Sequence, residues 1–256
     1  MAASLDIPLD LHWLETTALA SVRIAAFLVL APPFSDRAFP GMVKAALSLG
    51  LAVAVAPALA QATPELDDAE FLVALALQAL IGAAFGFLVY LVFSAVQSAG
   101  GLIDLTSGFQ LAAAYDPQLA VNGAQFTRLF QMAALALMCS SGAYQVILAG
   151  LAGTFRALPI GHGFPAGLTA ELVVRHASAM FAAAAEIAGP LIVVLFLADL
   201  GLGLLTKVAP ALNAFSMSYP VKILLALGLG SGVFLALPAA VQSLTGSAVD
   251  VLTGAG

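Results

Sequence analysis

Apolar residues gather into six runs, at roughly 14–31, 43–60, 71–99, 126–153, 177–197 and 221–244. About 20 apolar residues cross the hydrocarbon core of a bilayer as a helix. The first two runs are close to that length, and the third and fourth exceed it. Leu and Ala abound while β-branched residues are sparse, and a helix satisfies its own backbone in lipid. The pattern predicts an all-α integral membrane protein of about six long apolar helices. It is expected to form a single membrane domain over 1–256, with N-terminal helices and a loop through 125 and C-terminal helices from 126.

Polar residues are confined to the breaks between runs. Pro32 and Pro33 are expected to stop the first helix, Asp36 and Arg37 to pair locally, and Pro40 to stand just before a helix carrying Lys44. The break at 61–70 is acidic, with Glu65, Asp67, Asp68 and Glu70, and reads as a wet loop leading into a helix N-terminus, where acids suit the dipole. In the third run, Gly82 and Gly86 have the spacing that lets membrane helices approach closely. Gly and Ala are frequent enough here for chance to supply it. Gln78 and Gln97 need partners inside a bundle.

Three further breaks are less ordinary. From Gly100-Gly101 through Asp104, Gly108-Phe109, Tyr115-Asp116-Pro117 and Asn122-Gly123, the sequence stays apolar yet is broken by Gly and Asp-Pro. Non-helical backbone at membrane depth survives only when buried in protein or lining a cavity, so a packed loop is expected between the third and fourth helices. Glu186 and Pro190 interrupt the fifth run. An ionisable group at that depth is a functional candidate, and a structural role with a buried partner is equally open. The stretch 198–222 carries Asp199, Lys207, Asn213 and Lys222 with Pro210 and Pro220. Spacing alone makes it a hydrophilic hairpin: a helix end, a turn and a new helix start.

Composition fixes the solvent. The protein is 62% hydrophobic and 9% charged with mean hydropathy +1.07, against about 25% charged in soluble domains. It must meet lipid or bury itself in partners. A net charge of -6 with eight Lys and Arg offers no basic stripe for nucleic acid. The single Cys139 excludes an intramolecular disulfide and reads as a small core residue. His12, His162 and His176 are scattered, without metal-ligand spacing. The first residues carry acids and no Lys or Arg, so the N-terminus is read as retained, with Trp13 at the membrane interface. There is no G-x-S-x-G turn, H-E-x-x-H helix or P-loop, so no enzyme is expected. A polytopic transporter would show intramembrane charges converging on a midplane site, often with inverted repeats; only Glu186 sits clearly mid-run. Arg37 and Lys44 favour a cytoplasmic first loop, but Arg156 and Arg175 break the alternation, and no orientation is assigned.

The stretch 198–222, ADLGLGLLTKVAPALNAFSMSYPVK, resembles the C-terminal signature of the FliR family of flagellar export-gate subunits. The matching residues are Leu202–Leu205, Lys207, Ala209-Pro210, Asn213, Phe215, Pro220 and Lys222. Asp199 stands where Asn is common, and Lys207 where Arg is common, which loses the planar fork suited to bidentate pairing. Further similar blocks follow the family's order: Pro33-Phe34, Arg37 and Pro40; the Gly-Phe loop ending Asp116-Pro117-Gln118; and Thr154-Phe155 with Leu158-Pro159 and Gly161. The resemblance implies bent helical hairpins packed against sister subunits. It implies a pore-plug loop at Gly108, Phe109, Tyr115, Asp116, Pro117 and Gly123. It also implies polar and turn residues at subunit interfaces: Arg37, Pro40, Asp199, Lys207, Pro210, Asn213, Phe215, Pro220 and Lys222. No family role falls on Glu186. The implied partners are FliP and FliQ, with FlhB nearby, in the bacterial inner membrane at the flagellar basal body. Unfolded flagellar proteins would be the cargo, and the subunit itself would bind no cofactor. The homologous subunit of an injectisome type III secretion system is the rival within this class, and the Asp-Pro-Gln loop favours the flagellar member.

Overall fold

The computed structural model describes residues 11–109, 125–161, 170–208 and 214–253. Among them the regular structure is helical: α1 (Leu11–Leu30), α2 (Gly41–Leu59), α3 (Asp68–Ser107), α4 (Gln125–Ser140), α5 (Ala143–Ala157), α6 (Ala170–Val208) and α7 (Ala214–Thr253). Five of these are long and apolar enough to cross a membrane, or six if the broken pair α4 and α5 counts as one span. The all-α membrane fold read from the runs is the fold observed.

Local sequence sets the helix ends. α1 stops before Pro32-Pro33. Pro40 is the residue before α2, with φ -58° and ψ 146°, the extended conformation proline favours ahead of a helix. Asp67 and Glu70 form a reciprocal cap on α3. The Asp67 Oδ1 accepts from the Glu70 N–H at 2.7 Å, and the Glu70 Oε2 accepts from the Asp67 N–H at 3.2 Å. The acidic break is therefore a helix start, as its charge implies. α5 follows Gly142, whose left-handed φ of 74° glycine adopts without steric cost, and ends at Leu158, held extended by Pro159.

Several expectations are corrected. The fourth run is two helices, because Gly142 breaks it. Gly100 and Gly101 do not open a loop, since α3 continues through them to Ser107. A Cβ at Gly100 would lie 2.7 Å from the Phe126 carbonyl oxygen and from Thr127 backbone atoms. That glycine permits helix contact and does not break the helix. α6 runs past Asp199 to Val208, and Pro220 lies inside α7, so the hairpin break is narrower than 198–222. Trp13 is packed inside the protein at 7% exposure. Cys139 is exposed, because its face of α4 is not covered by the rest of the molecule. Asp36 forms no ion pair with Arg37 among the described residues. It accepts the Ala38 N–H at 2.9 Å and tightens its own turn.

The helices sort into two compact units. The first takes Met1–Leu91, Gly142–His176 and Thr245–Gly256. Here α1 packs on α2, and Leu19, Ile24, Phe27, Ile81, Leu88, Ile147 and Leu151 are almost wholly buried. Gly82 and Gly86 serve close approach: a Cβ on Gly82 would strike the Arg23 carbonyl, and one on Gly86 would lie 2.9 Å from the Phe27 carbonyl oxygen. The glycine spacing in the third run is the α1–α3 seam. The second unit takes Val92–Ser141 and Ala177–Leu244, with Val96, Ile103, Phe130, Met138, Leu195 and Leu237 at its centre.

Candidate functional site

The first unit is built around Arg23, which has no exposed surface. A cation on a helix this apolar needs its donors satisfied nearby, since lipid offers no acceptors. Its Nε–H donates to the Gln78 Oε1 on α3 at 2.6 Å. The two terminal nitrogens donate to the carbonyls of Thr154 at 3.4 Å and Leu158 at 2.9 Å, at the end of α5. The guanidinium carbon stands 4.2 Å from the centroid of the Phe155 ring, in cation–π range. No carboxylate is among these contacts. The C-terminal carbonyls of α5 carry about half a negative charge and serve as the counter-ion. Gln78 thus finds the bundle partner its burial requires.

Asp104 holds the corresponding place in the second unit, and it too is fully buried. Its Oδ1 accepts from the Phe126 N–H at 2.9 Å, and its Oδ2 accepts from the Thr127 N–H at 2.8 Å and the Thr127 hydroxyl at 2.7 Å. Those N–H groups belong to the first turn of α4, which has no carbonyl of its own to give them. The carboxylate on α3 caps α4 from across the segment that joins them. Next to this cap, Gly108 ends α3 with φ 87° and packs under the Tyr219 ring, 2.6 Å from where a Cβ would stand. Phe109 meets Phe126 edge-on at 5.8 Å between centroids, and Phe126 and Phe130 continue the aromatic stack.

Asp199 on α6 and Lys222 on α7 also come together. The Lys222 Nζ donates to Asp199 Oδ2 at 2.9 Å, and the Ser218 hydroxyl donates to Oδ1 at 3.2 Å. Lys222 is 12% exposed and Asp199 48%. The pair lines an open cleft of about 190 Å³ with Leu105, Thr106, Ile192, Leu195 and Phe196.

Of the residues expected at the plug, Gly108 and Phe109 are placed as above, and Tyr115, Asp116, Pro117 and Gly123 lie outside the described residues. Pro210 and Asn213 lie outside them as well, and Phe215 is placed only by its backbone in α7. Arg37 and Pro40 are exposed in the turn between α1 and α2. Lys207 and Glu186 are exposed on α6, and neither forms an ion pair among the described residues. Arg23 and Asp104 were absent from the expected site. A lone arginine inside the 14–31 run was itself the signal for the first; the second stood in an informative segment but was read as loop.

Buried charges capping helix ends, apolar membrane-length helices and exposed apolar faces define a polytopic helical membrane protein whose polar groups work on its architecture. The profile of Bacterial export proteins, family 1, matches residues 14–248, and the chain belongs to that family. It is 34% identical over 221 residues to the flagellar biosynthetic protein FliR of Escherichia coli (strain K12), covering 86% of this chain and 84% of that protein. It is 32% identical over 209 residues to FliR of Bacillus subtilis (strain 168), covering 80% of each. It is 28% identical over 213 residues to the Yop proteins translocation protein T of Yersinia pestis, covering 82% of each.

Proposed function

We infer that the protein is a structural subunit of the flagellar type III protein-export gate. The observation that carries this reading is the similarity, over four-fifths of its length or more, to relatives from flagellar and Yop secretion machinery. The geometry supports a mechanical role. Arg23 and Asp104 spend their charge on helix ends, while α2, α6 and α7 leave much of their apolar surface uncovered by the rest of the molecule. Such surface suits lipid and sister subunits together.

In this reading the subunit assembles with FliP and FliQ, with FlhB nearby, in the bacterial inner membrane at the flagellar basal body. Unfolded flagellar proteins pass through the resulting channel. The segment that follows Gly108 and Phe109 is the plug, and Asp104 fixes the helix to which it returns. Arg37, Pro40, Lys207 and the 199–222 hairpin face neighbouring subunits. The flagellar assignment is favoured over the injectisome by the higher identity to the two FliR proteins.

The test is to tag the full-length protein, solubilise its membranes gently and identify by mass spectrometry what co-purifies. Homologues of FliP and FliQ in one large complex are expected. Injectisome subunits would move the protein to the other branch. A lone monomer or homodimer would overturn the gate reading.

A further inference from the structure

Glu186 sits in the middle of the apolar length of α6, about 15 Å along the axis from His176 and about 20 Å from Asp199. Its side chain is exposed and too short to reach either polar end. It takes part in no ion pair among the described residues. One turn further along stands Pro190, also exposed and inside the helix. Proline has no N–H, so the Glu186 carbonyl loses the donor that would close that turn. One residue therefore offers two acceptors, a carboxylate and a backbone carbonyl, midway along an apolar helix.

Lipid cannot cover them, because it brings no donors. The surface around them is low and apolar. A Cβ at Gly189 would meet nothing within 4 Å, and Ala182 and Ala185 flank the site. Val193, Phe196 and Leu197, exposed at 58%, 61% and 58%, continue the face. Small residues beside an apolar strip suit a close-packed helix, whereas a water-filled passage gains nothing from exposed Val, Phe and Leu.

We propose that this face of α6 seats a transmembrane helix of a neighbouring subunit, which presents a lysine or arginine to the Glu186 carboxylate and carbonyl. A cation with several N–H donors satisfies both acceptors at once, and the charge it carries is complementary. The pairing rests on the reading of the protein as a subunit of a membrane complex. It names the chemistry that the seated helix must bring.

The experiment uses the full-length protein in its own membranes, with photoreactive benzoylphenylalanine at Ala182 or Val193 and the adducts identified by mass spectrometry. An adduct to a membrane-spanning helix of another subunit is expected, with a Lys or Arg within a turn of the cross-linked position. Glu186→Lys should cut recovery of the tagged complex by at least about tenfold, since it sets two cations together in a buried place, and Glu186→Gln by less. Replacing the facing basic residue with Glu should restore recovery in the Glu186→Lys background. Lipid-only adducts, adducts to exported cargo, or failure of every such exchange to restore the complex would overturn the pairing. If those results came from a complex that still co-purifies and exports, the export-gate reading would stand without it. If the unmodified protein recovered no export component, that reading would fall first.

Discussion

Arg23 and Asp104 solve one problem with opposite signs. Each is a fully buried charge without an ion-pair partner in its contacts, and each is neutralised by the end of a helix. The difference lies in reach. Arg23 gathers α1, α3 and α5, taking a side-chain oxygen, two backbone carbonyls and an aromatic face. Asp104 joins only α3 and α4, with both oxygens spent on a single turn. The guanidinium fork has five donors spread in a plane and can organise three elements; a carboxylate suits one helix N-terminus. Arg23 is the keystone of its unit, and Asp104 is a clasp within its own.

Removing Arg23 should have the largest effect. Arg23→Leu takes the donors from the Gln78 oxygen and the Leu158 carbonyl, and each buried acceptor left unsatisfied costs about 1–3 kcal/mol. A sharp fall in the thermal stability of the detergent-solubilised protein, and in its membrane level, is expected. Arg23→Lys sharpens the comparison: an ammonium keeps the charge but cannot fork, so stability should fall between the two. Equal stability of the Lys variant and the parent would show that the charge alone suffices and would remove the keystone role.

Asp104→Ala should come next, at about 1–2 kcal/mol, the cost of losing a helix N-cap. Hydrogen exchange should rise at Phe126 and Thr127 while Arg23 and its partners stay protected. Asp104→Asn keeps oxygen for one N–H and should lose less. A uniform rise through both units would show that Asp104 is no local clasp.

The smallest effect belongs to the Asp199–Lys222 pair. Ion pairs open to solvent contribute about 0.2–1 kcal/mol, so Lys222→Met should shift the melting temperature by about 4 °C at most. A loss as large as that of Arg23→Leu would mark this pair as a third buried anchor in the folded protein.

The order of apolar runs already carried the helical membrane fold, because a protein this poor in charge can satisfy its backbone in lipid only as helix. Helix punctuation was legible wherever the signal is local: Pro32-Pro33, Pro40, the acids at Asp67 and Glu70, and Leu158-Pro159. The family was legible too, from ordered blocks such as Ala209-Pro210 and Pro220 with Lys222. Glycine was the poorest guide. Gly100 and Gly101 looked like breakers yet lie within α3, while Gly142 breaks the fourth run, and only the neighbouring backbone distinguishes the cases. Contacts across long separations were decided by tertiary structure alone. Nothing near Arg23 in sequence names Thr154 or Leu158, and nothing near Asp104 names Phe126, because hydrogen bonds to backbone groups at helix ends leave no residue-specific mark on the partner. Side-chain pattern determined which segments enter the membrane; packing decided which helix end answers each buried charge.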